Sequence, residues 1–379
     1  MVYLDNSATS WPKPNRVYRA VYEFMKKSAA NPGRGGHKMA VEASEVVYYC
    51  RELMCSMFNA SSPSNVVFTK NTTEALNMAI KGVVKKGDHI IATSMEHNSV
   101  LRVLYKLASE GFITYDIVYA DNKGYVKCND IEAKIKPNTR LVVVNHISNV
   151  CGSIQPIYEI GALCKRHKLY FLVDGAQSGG IIPIDMYKNN ISLLALAGHK
   201  GLMGPMGTGA LIVADGITLN TVCEGGTGSY SKELLQPAEM PDRLEAGTLN
   251  APGICGLLEG LKYISVVGIN NIYEHELALT QLFLKGLNDI KNIKVYGPGA
   301  NDLRCGVVSL NIEGKDCVET SEILSNRYNI AVRAGYHCAY TAHETIGSSD
   351  TGTIRFSFGP FNTAEDVKKS LFALKNMSL

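Results

Sequence analysis

Ile191-Ser-Leu-Leu-Ala-Leu-Ala-Gly-His-Lys-Gly201 is an uncharged, mostly apolar run that stops at a glycine-flanked lysine, Lys200. A short run of this kind reads as a strand buried on both faces. Leu169-Tyr-Phe-Leu-Val-Asp-Gly-Ala-Gln177, just upstream, has the same form and ends in an acid, Asp174. Strand-like runs also cover 66–69, 89–93, 112–120, 141–147 and 209–214, and helical patterns cover 74–84 and 100–109. Their alternation predicts an α/β fold, a mostly parallel sheet covered by helices on both faces. Such sheets bind ligands at the carboxyl ends of their strands, and Thr73, His97, Asn149, Asp174 and Lys200 each follow a strand-like run. One crevice can collect all five.

A lysine in such a turn is placed to hold a carbonyl, and Asp174 to meet a pyridinium nitrogen. The pair suggests pyridoxal 5′-phosphate (PLP). Far downstream, Arg333-Ala-Gly-Tyr-His-Cys338 supplies a thiol beside an imidazole, and Arg355 follows. Each feature has a plainer reading. An isolated lysine is usually a solvated charge, Asp174 could cap a helix, and Thr72-Thr73-Glu74 could be a capping motif. The combination of Lys200 with Asp174 favours chemistry.

The chain has 379 residues, 46% hydrophobic and 19% charged, with a formal charge of +3. That suits a soluble globular protein of two units, without the basic stripe that nucleic acid or an anionic membrane would require. The start lacks a basic and an apolar signal region, and no uncharged apolar run approaches the ~18 residues of a membrane helix, so a cytoplasmic location is expected. Ten cysteines lie scattered in apolar segments without a CxxC pair, and nine histidines form no HExxH or zinc spacing, so no metal is expected. Only Cys338 has neighbours that raise it above a buried thiol.

Residues 1–253 are read as the large cofactor-binding domain and 254–379 as a smaller α+β domain carrying Cys338, on which residues 1–14 are able to pack. Glycines and prolines over 220–253 mark a crossing loop. In the smaller unit a helical stretch over 254–288 precedes strands at 293–296, 307–312, 330–333 and 353–358, with helices at 317–328 and 364–375.

These residues resemble fold-type I PLP enzymes of the class V aminotransferase family, and within it the cysteine desulfurases of the Suf-type, NifS-like branch that includes selenocysteine lyases. The resemblance rests on Tyr3-Leu-Asp-Asn-Ser-Ala-Thr9, Asn71-Thr-Thr-Glu74, Glu96-His97-Asn98, His146-Ile-Ser-Asn149, Asp174-Gly-Ala-Gln177, Gly198-His-Lys200, Glu245-Ala-Gly-Thr248 and the Arg333 to Cys338 stretch, in that order. It implies conversion of L-cysteine to L-alanine with a persulfide on Cys338, and extends to selenocysteine lyase activity. Other members of the family, such as an aminotransferase, epimerase or sulfinate lyase, are the alternative, as is a catalytically silent sulfur carrier.

Carried over by residue, the resemblance makes Lys200 the covalent anchor of PLP, Asp174 the partner of its ring nitrogen and Gln177 the donor to its phenolate oxygen, with His97 stacked on the ring. Phosphate contacts fall to Thr72, Thr73 and His199, and to Thr248 from the partner subunit of a homodimer. Asn149 and Arg355 would hold the substrate carboxylate, and Arg34, His37 and Arg333 are further pocket candidates. His337 is a candidate to assist Cys338, although His337 and His343 are expected on a mobile loop without catalytic duty. A protein sulfur acceptor is an expected partner. Ala197 stands where relatives usually place serine or threonine, which removes one hydroxyl from the phosphate.

Overall fold

The protein is described here by a computed structural model covering residues 1–33 and 35–378. The first half runs β1 (Val2–Tyr3), α1 (Asn15–Lys27), α2 (Lys38–Met57), β2 (Val66–Thr69), α3 (Thr72–Val83), β3 (His89–Thr93) and α4 (Asn98–Ser109). It continues through β4 (Thr114–Val118), α5 (Cys128–Glu132), β5 (Thr139–Asn145), α6 (Ile157–Arg166), β6 (Tyr170–Asp174), β7 (Leu193–Ala197) and β8 (Gly209–Val213). After the crossing loop come α7 (Ala251–Val267), α8 (Ile269–Leu287), β9 (Ile293–Tyr296), β10 (Val307–Ile312) and α9 (Cys317–Tyr328). Last are β11 (Ile330–Ala331), β12 (Arg333–Gly335), α10 (Tyr340–Ile346), β13 (Thr353–Ser357) and α11 (Ala364–Met377).

Seven strands form one sheet in the order β2-β8-β7-β6-β5-β3-β4, and only β8 opposes the rest. The expected parallel α/β sheet is therefore present. Its strands are apolar at successive positions because both faces are covered: Val142, Val144, Phe171, Val173, Leu194 and Leu196 enter one core, while Leu141, Val143, Leu172, Leu193 and Ala195 enter the other. Side chains alternate across a strand, so a continuous apolar run feeds two cores at once. Helices α3 and α4 cover the second face with Leu76, Ile80, Val100 and Leu104.

A smaller antiparallel sheet, β12-β13-β10-β9, packs on α8, α9 and α11 through Phe283, Leu310, Leu324, Phe356 and Leu374. Residues 2–5 join this layer. Val2 and Tyr3 pair in parallel with Ile330 and Ala331, and Asp5 bridges to Ser357.

Three elements differ from the sequence reading. The helix expected over 254–288 breaks into α7 and α8, which meet at 81°, because Gly268 takes a positive φ of 88° that ends the first helix. Helix α7 buries Ile254, Leu257 and Leu261 in a core of the large sheet, so a boundary at residue 253 falls within a helix that belongs to that layer. The stretch after Cys338 contains α10, and His337 and His343 are buried rather than on a mobile loop, at 2% and 0% exposure.

Candidate active site

Parallel strands end on one edge of the sheet, and the turns that follow β2, β3, β5, β6 and β7 converge there. One cleft is lined by Lys200, Asp174, Gln177 and His199, by His97 and Asn149, and by Thr72 and Thr73. Each side chain has a local reason for its place. Asn71 caps α3 by accepting from the Glu74 amide at 2.9 Å, leaving Thr72 and Thr73 in the first turn, where both line the cleft. His97 caps α4 and takes the Ser99 amide on Nδ1 at 3.1 Å, so Nδ1 is unprotonated and Nε2 carries any ring hydrogen.

The turn after β7 is held from below. Ser10 Oγ donates to the Lys200 carbonyl at 2.9 Å, and Lys13 Nζ donates to the His199 carbonyl at 2.6 Å. The Lys200 amine has no hydrogen-bond partner among the described residues, and burial brings it down to about 8 against the pull of Asp174. Burial pushes the Asp174 carboxyl up, opposed by the Ala176 amide at 2.9 Å and by Lys200. Burial and the neighbouring cations hold His97 and His199 neutral, both near 4.

These residues fit PLP. A buried acid faces the cleft without an ion-pair partner, the start of a twelve-residue helix offers free amides to a phosphate, and the buried Nδ1 of His199 has no partner. Gln177 is different from expectation in one respect: its Nε2 already donates to the Ser7 carbonyl at 3.0 Å.

Arg355 lies behind the cleft, 1% exposed. Its fork donates to Asp5 Oδ1 at 2.8 Å and to the Asn149 carbonyl at 3.0 Å, and its buried Nε has no partner. The Asn149 amide nitrogen donates to the His337 carbonyl at 2.7 Å, leaving Oδ1 unpartnered. An acceptor oxygen does not hold a carboxylate, so the free Nε of Arg355 is the stronger anchor.

Cys338 opens on a neighbouring groove that shares Thr73, His97 and Ser99 with the cleft. His337 and Cys338 are consecutive left-handed residues, φ 48° and 59°, at a cost of about 1–2 kcal/mol each. The turn is fastened by Asn98 N donating to the Cys338 carbonyl at 2.7 Å and by Thr341 Oγ1 donating to the Ser94 carbonyl at 2.8 Å. The imidazole of His337 turns inward, with Nε2 3.0 Å from Thr353 Oγ1, and burial drives its basicity far down. Arg333, expected only as a pocket residue, stands at the thiol and donates from Nη2 to Cys338 Sγ at 3.6 Å.

His37 caps α2 on the surface, outside the cleft, and Arg34 lies outside the described residues. Thr248 is exposed and does not line the cleft of its own chain. Sequence reasoning assigned no role to Glu96, which is fully buried. It accepts from Thr93 Oγ1 at 2.6 Å and from the Asn145 amide at 2.9 Å, while Oε2 has no partner. Burial raises it to about 8. An ordinary value of 4.5 in the unfolded chain means the folded chain keeps a proton that the unfolded chain gives up. Stability is therefore full below 4.5 and is lost as pH rises through about 8. Glu96→Gln, with no proton to lose, is expected to melt like wild type near pH 5 and higher at pH 9, by a few kcal/mol in order of magnitude. Equal melting temperatures at pH 9 would refute this.

The class-V aminotransferase family model matches residues 2–369. A probable cysteine desulfurase of Methanothermobacter thermautotrophicus is 35% identical over 373 residues, 97% of this chain and 92% of that one. Another from Pyrococcus abyssi is 35% identical, covering 100% of this chain and 94% of that one. The solved apo structure of a cysteine desulfurase from Thermococcus onnurineus superposes with a TM-score of 0.94 at 34% identity, covering 100% of this chain and 94% of that one.

Proposed function

The chain belongs to the class-V aminotransferase family, and on that premise we propose that it is a PLP-dependent cysteine desulfurase, converting L-cysteine to L-alanine and leaving a persulfide on Cys338. The observation that carries this reading is a thiol beside a guanidinium, on a groove that shares three residues with the cleft of the buried lysine.

PLP, when bound, supplies an electron sink for charge developing at the amino acid α-carbon. Asp174 is the group to hold the ring nitrogen, and Thr72, Thr73 and His199 to hold the phosphate. Lys200, with its basicity brought down to about 8, is able to take a proton and return it near neutral pH. Arg355 orients the substrate through its carboxylate. Arg333 donates to the sulfur of Cys338 and so positions it at the mouth of the groove. The sulfur of Cys338 attacks the substrate sulfur: an S–S bond forms, the C–S bond breaks, and the β-carbon takes a proton to become the methyl group of alanine.

We further place Thr248 in the partner's site, in a homodimer. Exposed Tyr18, Tyr22 and Met25 on α1, Tyr48 and Tyr49 on α2, and Leu234 and Leu235 on the crossing loop support a large contact between subunits. Ten free cysteines suit a reducing cytoplasm, and the exposed Cys338 suits hand-over of sulfur to an acceptor protein. Among the described residues no single helix is long and apolar enough to cross a membrane.

Incubation of the PLP-loaded protein with L-cysteine and a reductant is expected to yield alanine and sulfide in equal amounts. Pyruvate in place of alanine, or no sulfide, would refute the proposal.

A further inference from the structure

A second, smaller cavity, about 30 Å³, touches Lys200 from the direction of the small sheet. Its walls include Lys200, Gln177, Ser7, Ser10, Glu276 and Gly306, and because Lys200 and Gln177 also line the cleft, the two spaces meet at the lysine. Glu276 belongs to α8 and is 4% exposed. Its carboxyl makes no hydrogen bond or ion pair among the described residues.

The space beside that carboxyl is kept open by Gly306. A Cβ at this position would lie 3.3 Å from Glu276 Oε2 and 3.3 Å from the Phe358 carbonyl. A cavity of this size has room for about two waters, and although Ile181, Met203 and Phe358 also line it, the Ser10 hydroxyl and the carboxyl give those waters partners. Burial holds the Glu276 carboxyl up at about 8, so at neutral pH it is an acid that both donates and accepts. The other titratable groups on the wall are Cys305 and Lys200. Burial raises the Cys305 thiol to about 12, which leaves the lysine, among the described residues of the wall, to exchange protons with Glu276 near neutral pH.

We propose that Glu276 and the water between it and Lys200 form a proton relay to the lysine amine, through a space separate from the substrate cleft. Glu276 is then a positioning residue for the acid–base work of Lys200, and the inference rests on the reading of Lys200 given above. In each transfer one O–H bond breaks and one N–H bond forms, or the reverse, with water carrying the proton and no other reactant consumed.

Glu276→Gln keeps the shape and loses the exchangeable proton. Exchange of the α-hydrogen of L-alanine for deuterium in D2O, followed by NMR with the PLP-loaded enzyme, reports the lysine's proton transfer without needing Cys338. The variant is expected to exchange about tenfold more slowly or worse, the lower end of what acid–base assistance contributes, with L-alanine affinity and bound PLP unchanged. Glu276→Asp should recover part of the rate, and Glu276→Met serves in place of the glutamine variant if that one fails to fold.

A second readout uses the cofactor-free protein. The pH midpoint of Lys200 acetylation by trace acetic anhydride, read on its peptide by mass spectrometry, should fall in Glu276→Gln, because an acid that ionises nearby helps keep the amine protonated. An unmoved midpoint, exchange within about twofold of wild type, or a slowed exchange that tracks lost PLP would each overturn the relay. Wild type that exchanges alanine but releases no sulfide from cysteine would remove the desulfurase reading alone, so the two failures separate.

Discussion

Replacing Cys338 by serine is expected to end alanine release from L-cysteine, by about 10³-fold or more, the scale on which loss of a nucleophile is felt. The cofactor absorbance and the affinity for L-cysteine should stay as they are. The reason lies in the layout: Cys338 sits on its own groove, and the residues that fit PLP line the cleft beside it. A serine hydroxyl has the size of the thiol but neither its low proton affinity nor its affinity for sulfur. Arg333, at 3.6 Å from Sγ, would then position an oxygen that cannot accept the substrate's sulfur as a persulfide. Peptide mapping of wild type after a single turnover should find one extra sulfur on Cys338. Alanine release at the wild-type rate from the serine variant would show that the persulfide forms elsewhere or not at all.

Lys200→Ala is expected to lose turnover altogether and with it covalent attachment of PLP. Borohydride reduction of wild type should fix the cofactor to the Lys200 peptide, and the same treatment should leave the variant unlabelled. The change also allows a test of the subunit arrangement. In a mixed dimer of Lys200→Ala and Thr248→Val chains, one site would carry both defects and the other neither, provided Thr248 reaches across. Such dimers should show about half the activity of wild type, one intact site of two. Thr248→Val alone should weaken phosphate binding by about 1 kcal/mol or more, the loss of a hydrogen bond to a charged group. A remaining active site in the mixed dimer that binds PLP as weakly as Thr248→Val alone, rather than with wild-type affinity, would place Thr248 outside the partner's site.

What the sequence made readable was what local pattern determines. Asp174 ends one five-residue strand and Lys200 follows another, so their positions on one sheet edge follow from strand direction alone. Side-chain commitments across the chain were not readable. Nothing near Asn149 announces that its amide nitrogen is taken by a carbonyl 188 residues away, nor does His337 disclose that its ring turns to Thr353 while Arg333 meets the thiol. Glu96 and Glu276 were missed for a different reason. An acid in a helical or turn segment reads as solvated, and only the packing around it reveals that its proton is retained. The break at Gly268 had a signal, a lone glycine inside a helical run, but a glycine there is also tolerated without a bend.

Residues 2–10 reach two distant places: Asp5 pairs with Arg355, 350 residues later in the chain, and Ser10 supports the turn of Lys200. On the ribosome, at roughly 5–20 residues per second, about 20–70 s separate the emergence of Asp5 from that of its partner. The large sheet has all its strands well before then, yet the support for Arg355 waits for the small sheet. A nascent chain is thus able to build the cofactor cleft early while the substrate anchor stays unformed. On the role proposed for Arg355, capture of an amino acid waits until residue 355 has emerged and met Asp5.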